Sequence, residues 1–310
     1  MIIPDWNGKP YHSLDYELKQ MFKEKVYKIA LNGGMTCPNR DGHVGTGGCI
    51  FCSSQGSGDF AGSARLSIAE QIRQGKADIS SKRPVHSYIA YFQAFTNTYA
   101  PVETLRALYM EAIADPEVKI LSIATRPDCL GADVLALLDE INQIKPVWVE
   151  LGLQTIHPET SAYIRRGYEL SVFEQAVKEL RAIGITVIVH TILYLPGETK
   201  DDMLDTIHYL NHMDIQGIKL QLLHVLTHTD LAADYEKHPF YIPDMQDYIQ
   251  FLGTCIAHLN PEIVIHRLTG DGPKDLLIAP LWTSNKRTVL NQLHSHLKEQ
   301  DIWQGKEYYV

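Results

Sequence analysis

Short runs of β-branched and aromatic residues recur along the chain, separated by longer stretches with apolar residues at spacings near three and four. This alternation constrains the fold more than any other feature of the sequence. It predicts strands over 26–31, 86–93, 119–125, 147–153, 185–193 and 217–223, with helices over 66–78, 102–114, 132–143, 172–183 and 200–213. Asp201 and Asp202 suit a helix start, and Gly184 a helix stop. Parallel neighbours need crossover connections, usually helical, so six strands interleaved with helices imply a parallel α/β sheet. Nearly every predicted strand ends in chemically capable groups: Gln93 with Thr96 and Asn97, Thr125 with Arg126, Gln154, Glu198 and His224. Periodicity alone does not separate an open doubly wound sheet from a barrel, but strand C-termini converging on one face favour a barrel. The expected fold is α/β, a partial (β/α)6 barrel of the TIM type. After residue 240 the pattern changes to a helix over 244–259, a strand over 263–268, a turn over 270–273 and a helix over 284–298. Residues 1–240 therefore read as the barrel and 241–310 as an extension that caps it or adds a seventh strand.

Three cysteines, Cys37, Cys49 and Cys52, fall within sixteen residues, whereas Cys129 and Cys255 stand alone. An odd, uneven set of five is not a disulfide framework. In a reducing compartment three close thiols point to a metal or cluster site. The segment 33–52 reads GGMTCPNRDGHVGTGGCIFC and follows the first predicted strand directly. Four glycines and a proline between Cys37 and Cys49 make a loop able to turn three sulfurs toward one face. Three thiolates can hold three irons of a [4Fe–4S] cluster and leave the fourth open to a chelating small molecule, where electron-transfer clusters use four cysteines. Zinc held by the three cysteines and His43 is the alternative.

The charge is −9, from 28 Lys plus Arg against 37 Asp plus Glu. That is opposite in sign to the broad positive field of a protein that coats nucleic acid, and leaves room only for a local basic pocket. No apolar run approaches the roughly 18 residues of a membrane span. Met1-Ile-Ile-Pro-Asp-Trp6 carries no basic segment followed by an apolar one, so the expected location is the cytoplasm.

The cysteine loop, with Phe51 just before its third cysteine, resembles the radical S-adenosylmethionine superfamily. The stretches CPNRDG, GGCIFC, GSGDF (56–60), YFQAFTNTY (91–99), TRPDCL (125–130), ELGLQT (150–155), LPGET (195–199), IKLQLLHVL (218–226) and RLTGDGPKDLLIAPLW (267–282) are similar to its YtqA/YhcC-like family. That family lies in the branch that includes the catalytic subunit of Elongator. The resemblance runs from about Tyr11 to Leu297.

It implies a [4Fe–4S] cluster on Cys37, Cys49 and Cys52, with S-adenosylmethionine on the open iron. Phe51 would pack near the adenine. The Gly-Gly-Glu motif that often binds the methionine amino group is replaced here by 91–98, so Gln93 or Thr96 takes that contact. Gln154, with Arg166 twelve positions later, matches a pair that contacts the cofactor ribose and carboxylate, and Glu150, on the same strand face as Gln154, is a cofactor-binding candidate with them. Arg126 sits at the mouth, binding an anionic group or pairing with Asp128. Lys219 and Gln221 alternate inward on the sixth strand, where a buried lysine needs a charge partner. Arg126 and Lys219 are the candidate catalytic residues. His190, inside an apolar strand, reads more readily as a hydrogen-bonded core residue.

The implied chemistry is reductive cleavage of S-adenosylmethionine to a 5′-deoxyadenosyl radical, with an electron donor such as flavodoxin or ferredoxin as partner. The implied substrate is tRNA, whose wobble uridine would have its 5-carboxymethylaminomethyl side chain converted to 5-aminomethyl. Arg40, Arg65, Lys82, Arg83, Arg165, Arg166, Lys219, Lys274, Lys286 and Arg287 are candidates for a basic path to the mouth. A small acidic metabolite is the alternative substrate, and a non-catalytic zinc or iron–sulfur protein the alternative class.

Overall fold

The computed structural model describes residues 5–56, 58–81, 85–270 and 272–308. Seven strands, β1 (Tyr27–Leu31), β2 (Tyr88–Phe92), β3 (Val118–Thr125), β4 (Val147–Gln154), β5 (Thr186–Leu193), β6 (Gly217–Leu222) and β8 (Val264–Arg267), form one sheet. A two-residue strand, β7 (Val225–Leu226), lies between the last two in sequence and pairs antiparallel with β9 (Leu277–Ala279). In the main sheet every neighbouring pair is parallel and the spatial order follows the chain without reversal. A doubly wound sheet reverses at a switch point, whereas one-way winding curls the sheet. The result is a partial barrel, open between its end strands β1 and β8.

The crossovers are α2 (Ile68–Ser80), α3 (Val102–Ile113), α4 (Ala132–Asn142), α6 (Leu170–Ala182) and α7 (Lys200–Asn211). Their ends follow local chemistry. Ser67 with Glu70 and Thr199 with Asp202 form capping boxes, and Gly184 takes φ 72° after α6. Each expected element is present within about two residues. The extension supplies α9 (Met245–His258), the seventh barrel strand β8 and α10 (Lys286–Glu299). The periodicity did not mark α1 (Leu14–Phe22), α5 (Pro158–Tyr163) or α8 (Asp230–Lys237), all nine residues or fewer.

The outward face of the sheet packs on the helices in the main core, where Phe92 meets Tyr109 edge to face at 5.2 Å. The inward face is layered because side chains alternate along each strand. Its lowest layer is apolar: Val26, Ile89, Ile120, Trp148 and Ile188, plugged by Leu18 of α1. Two residues further along the same strands stand Lys28, Tyr91, Ser122, Glu150 and His190. The inward face thus changes from oil to charge within one layer.

The chain ends close the β8 edge. The His12 carbonyl accepts from the Ile265 amide at 2.7 Å. The buried Gln304 amide group accepts from His12 N–H at 2.9 Å and donates to the carbonyls of Asn260 and Ile263.

Candidate active site

The cysteine loop leaves β1 and is folded by its own backbone. Arg40 N–H donates to the Cys37 carbonyl at 2.8 Å, Val44 to Pro38 at 2.7 Å, and Cys52 to Cys49 at 3.0 Å. Two side chains then fasten it. Asn39 donates to the Arg165 carbonyl at 2.6 Å and toward Cys49 Sγ at 3.6 Å. Arg40 donates to the carbonyls of Cys52 and Ser53 at 3.2 and 2.6 Å and lies over the Phe95 ring.

Cys37, Cys49 and Cys52 line one cavity at the barrel mouth, together with Phe51, Gln93, Thr96, Arg126, Glu150, Gln154, Arg166 and Lys219. All eleven candidate site residues therefore converge on one place. A hydrogen bond from Cys52 lowers the Cys49 thiol to about 7 against its burial, while Cys52 is pushed well up. His43 stands elsewhere, beside Tyr99 in a shallow cleft with Cys129 and Asp128. Among the described residues no three His, Cys, Asp or Glu side chains surround one point closely enough for a single metal ion. Three thiols on one cavity wall, with Cys49 and Cys52 within hydrogen-bond reach of each other, suit a cluster in which each thiolate takes its own iron.

Gln154 ends β4 at φ 68°, where a register shift against β5 separates Gly152 from Gln154. Arg166 is buried and donates to the carbonyls of Leu153, Thr155 and Tyr168 at 3.1, 2.6 and 3.1 Å. Arg126 grips Asp128 with both arms of its fork, Nε to Oδ1 at 2.9 Å and Nη2 to Oδ2 at 2.6 Å. Burial opposes its charge, but Asp128 outweighs burial and raises its pKa. Thr96 is buried, and its amide donates to the Thr36 carbonyl at 3.2 Å.

The centre of the cavity floor is Glu150, whose side chain is 0% exposed. Its Oε1 accepts from Lys28 at 2.7 Å and Ser122 at 2.8 Å; Oε2 accepts from Lys219 and is 2.7 Å from His190 Nε2. Lys219 also donates to Tyr91 Oη at 3.1 Å. Burial alone would raise the Glu150 carboxyl, but Lys219, Lys28 and His190 hold it well below the usual range. Burial lowers Lys219, helped by Lys28 and Arg267, and brings His190 down to about 4. Sequence reasoning missed Lys28 and Ser122 here and underrated His190. For Lys28 the signal was available, since it stands inside a strand as Lys219 does.

Of the basic path, Lys219, Lys274 and Lys286 line one opening, Arg165 pairs with Asp230, and Arg65 and Arg287 are exposed. Lys82 and Arg83 fall outside the described residues. Thr199 caps α7, and Glu198 beside it is half-buried with Oε1 lacking a hydrogen-bond partner, so that burial raises its carboxyl.

The family model of the radical SAM superfamily matches residues 39–210, and that of the radical SAM C-terminal domain matches 215–299. The chain belongs to the radical SAM superfamily. Its cofactors are accordingly a [4Fe–4S] cluster and S-adenosylmethionine, and the three-cysteine cavity fits them. This radical SAM protein is 45% identical to YtqA of Bacillus subtilis over 298 residues, covering 96% of this chain and 92% of that one. It is 37% identical to YhcC of Escherichia coli, with 92% of each chain covered. Among solved structures, Elp3 of Methanocaldococcus infernus with its N-terminus deleted superposes with a TM-score of 0.70 at 14% identity. That match covers 90% of this chain but 64% of Elp3, and at such identity the likeness is one of fold. No helix among the described residues is long and apolar enough to cross a membrane.

Proposed function

We propose that this radical SAM enzyme modifies tRNA in the cytoplasm, converting the 5-carboxymethylaminomethyl side chain of wobble uridine to 5-aminomethyl. The outer N–C bond breaks, water supplies the oxygen with which the two-carbon unit leaves as glyoxylate, and cleavage of one S-adenosylmethionine to methionine and 5′-deoxyadenosine takes up the two electrons. The observation that carries the reading is the continuity of the three-cysteine cavity with a layer of buried cations suited to a substrate carboxylate. The fold shared with Elp3 agrees with it. When bound, the reduced cluster and S-adenosylmethionine supply reductive cleavage of a sulfonium and hydrogen abstraction from an unactivated carbon.

The chain's own residues bind, orient and exclude water. Cys37, Cys49 and Cys52 hold the cluster. Phe51, Gln93, Thr96, Gln154 and Arg166 form the walls for S-adenosylmethionine. Glu150 serves that space as the counter-ion that keeps Lys219 upright. Lys219 and Arg126 face the reacting group, and residues 241–310 complete the barrel wall. An electron donor such as flavodoxin or ferredoxin would be the enzyme's redox partner. An unstacked anticodon base is the form in which tRNA reaches such a mouth.

The deciding experiment incubates reconstituted enzyme, dithionite and S-adenosylmethionine with tRNA bearing the carboxymethylaminomethyl group, followed by nucleoside mass spectrometry. The aminomethyl nucleoside and 5′-deoxyadenosine should rise together. Deoxyadenosine without any change in the wobble nucleoside would direct the search to small acidic metabolites, which the same cations suit.

A further inference from the structure

The open side of the barrel, between β1 and β8, is a second cavity of about 540 Å³ that shares Tyr91, Gln93, Lys219 and Arg267 with the cysteine cavity. Five of the described residues lining it are Lys or Arg and none is Asp or Glu. At its inner end Lys28 and Lys219 lie against the Tyr91 ring, their ammonium nitrogens 4.6 and 4.7 Å from its centroid. Both lysines bond the same carboxylate, Glu150, whose two oxygens also receive Ser122 and His190. One carboxylate balances one ammonium. The pair of lysines around it, 23% and 5% exposed, therefore shares one counter-ion, so burial and the neighbouring Lys28 disfavour the charge on Lys219 until a second anion arrives.

We infer that Lys28 and Lys219, held apart and aimed by Glu150, receive a substrate carboxylate that enters through the β1–β8 opening. The inference rests on the proposed function for the carrier of that carboxylate, a modified wobble base, but not for the carboxylate site itself. The two lysines are specificity residues. Their job is to distinguish a side chain ending in carboxylate from one without it, and so substrate from product.

The test measures binding to cluster-loaded protein with S-adenosylmethionine present. One probe pair is an anticodon stem-loop RNA with 5-carboxymethylaminomethyluridine or 5-aminomethyluridine at the wobble position. The other pair is N-methylglycine and N-methylethylamine, followed by saturation-transfer NMR. Wild type should prefer the carboxylate member by about tenfold or more, the scale of a charge-assisted hydrogen bond. Lys28→Met and Lys219→Met should each bring the ratio near one, while Lys219→Arg retains most of it. Should Lys219→Met not fold, the more exposed Lys28→Met decides alone.

A wild type that fails to discriminate in both pairs overturns the inference. So does discrimination that survives in the folded Met variants, or binding that inorganic phosphate displaces equally from both RNAs. If neither RNA binds while the small pair is discriminated through the lysines, the carboxylate site stands and the tRNA reading falls. If both RNAs bind equally and the small pair is not discriminated, the tRNA reading stands and the carboxylate site falls.

Discussion

Arg126 is tied to Arg166 through the main chain: its Nη1 donates to the Arg166 carbonyl at 2.8 Å, and both guanidinium groups lie on the Tyr168 ring, at 5.0 and 4.8 Å. With Asp128 occupying the other two nitrogens, Arg126 joins the end of β3 to the loop after α5. Removing one partner of such a pair, 10% and 19% exposed, leaves the other charge half-desolvated. Arg126→Met should cost about 3 kcal/mol in urea unfolding. Asp128→Asn should abolish most of that difference in a double-mutant cycle, and additive effects would mean that the pair is not coupled.

Cys37→Ala, Cys49→Ala and Cys52→Ala should each lose the visible absorbance and most of the iron of anaerobically purified protein. Cys255 is buried in α9, where its thiol acts as a small hydrophobe. Cys255→Ala should therefore cost about 1 kcal/mol and keep the iron. Full iron in any loop variant would remove that cysteine from the ligand set.

His190 is held to about 4, mainly by burial and then by Lys219. With the folded value below the ordinary one, the unfolded chain takes up the proton first as pH falls from about 6.5. Stability is then lost between about pH 6.5 and 4, and the carboxyl of Glu150, itself held low, adds its own loss from about pH 4.5 downward, where the unfolded carboxyl begins to protonate. His190→Gln should lower overall stability but reduce the acid slope by about one proton, near 1.4 kcal/mol per pH unit. Urea midpoints from pH 7 to 4.5 measure it. An unchanged slope would show that His190 is not the buried neutral group.

The barrel was legible because its strands are buried on both faces and read as apolar runs, as in Tyr88–Phe92, where every residue is buried. The cysteine loop was legible from spacing. The Glu150 network was harder, because it joins Lys28 to residues up to 191 positions away, Lys219 being the furthest, and only closure of the sheet brings them together. Strand alternation does put Glu150 and Gln154 on the same cavity, yet the register shift at Gly152 that aims Gln154 leaves no mark in the periodicity. The short helices α1, α5 and α8 offered too few turns for a periodic signal.

Gly56 packs its bare Cα against Phe95, and a Cβ there would stand 2.3 Å from the ring. Its φ of 55° also disfavours any side chain. The Gly56 carbonyl holds the Phe95 amide at 2.9 Å, and Phe95 supports Arg40, which in turn fastens Cys52. Gly56→Ala should cost about 2 kcal/mol. It should also lower iron loading, the readout that separates a loop defect from general destabilisation.

Gln154 occupies a left-handed conformation that only glycine adopts without strain, at the edge of the cavity that holds the cysteines. Strain at such a position persists where the side chain has a task. Gln154→Gly removes the strain and the amide together, so stability should change by less than about 1 kcal/mol. Affinity for S-adenosylmethionine should nevertheless fall about tenfold, the equivalent of one or two hydrogen bonds. Gln154→Ala keeps the strain, loses the same amide and should match the glycine variant in affinity but not in stability. Equilibrium dialysis on cluster-loaded protein gives the affinity and urea unfolding the stability. Wild-type affinity in both variants would make Gln154 a backbone element only, with the cofactor contact carried by other residues of the wall.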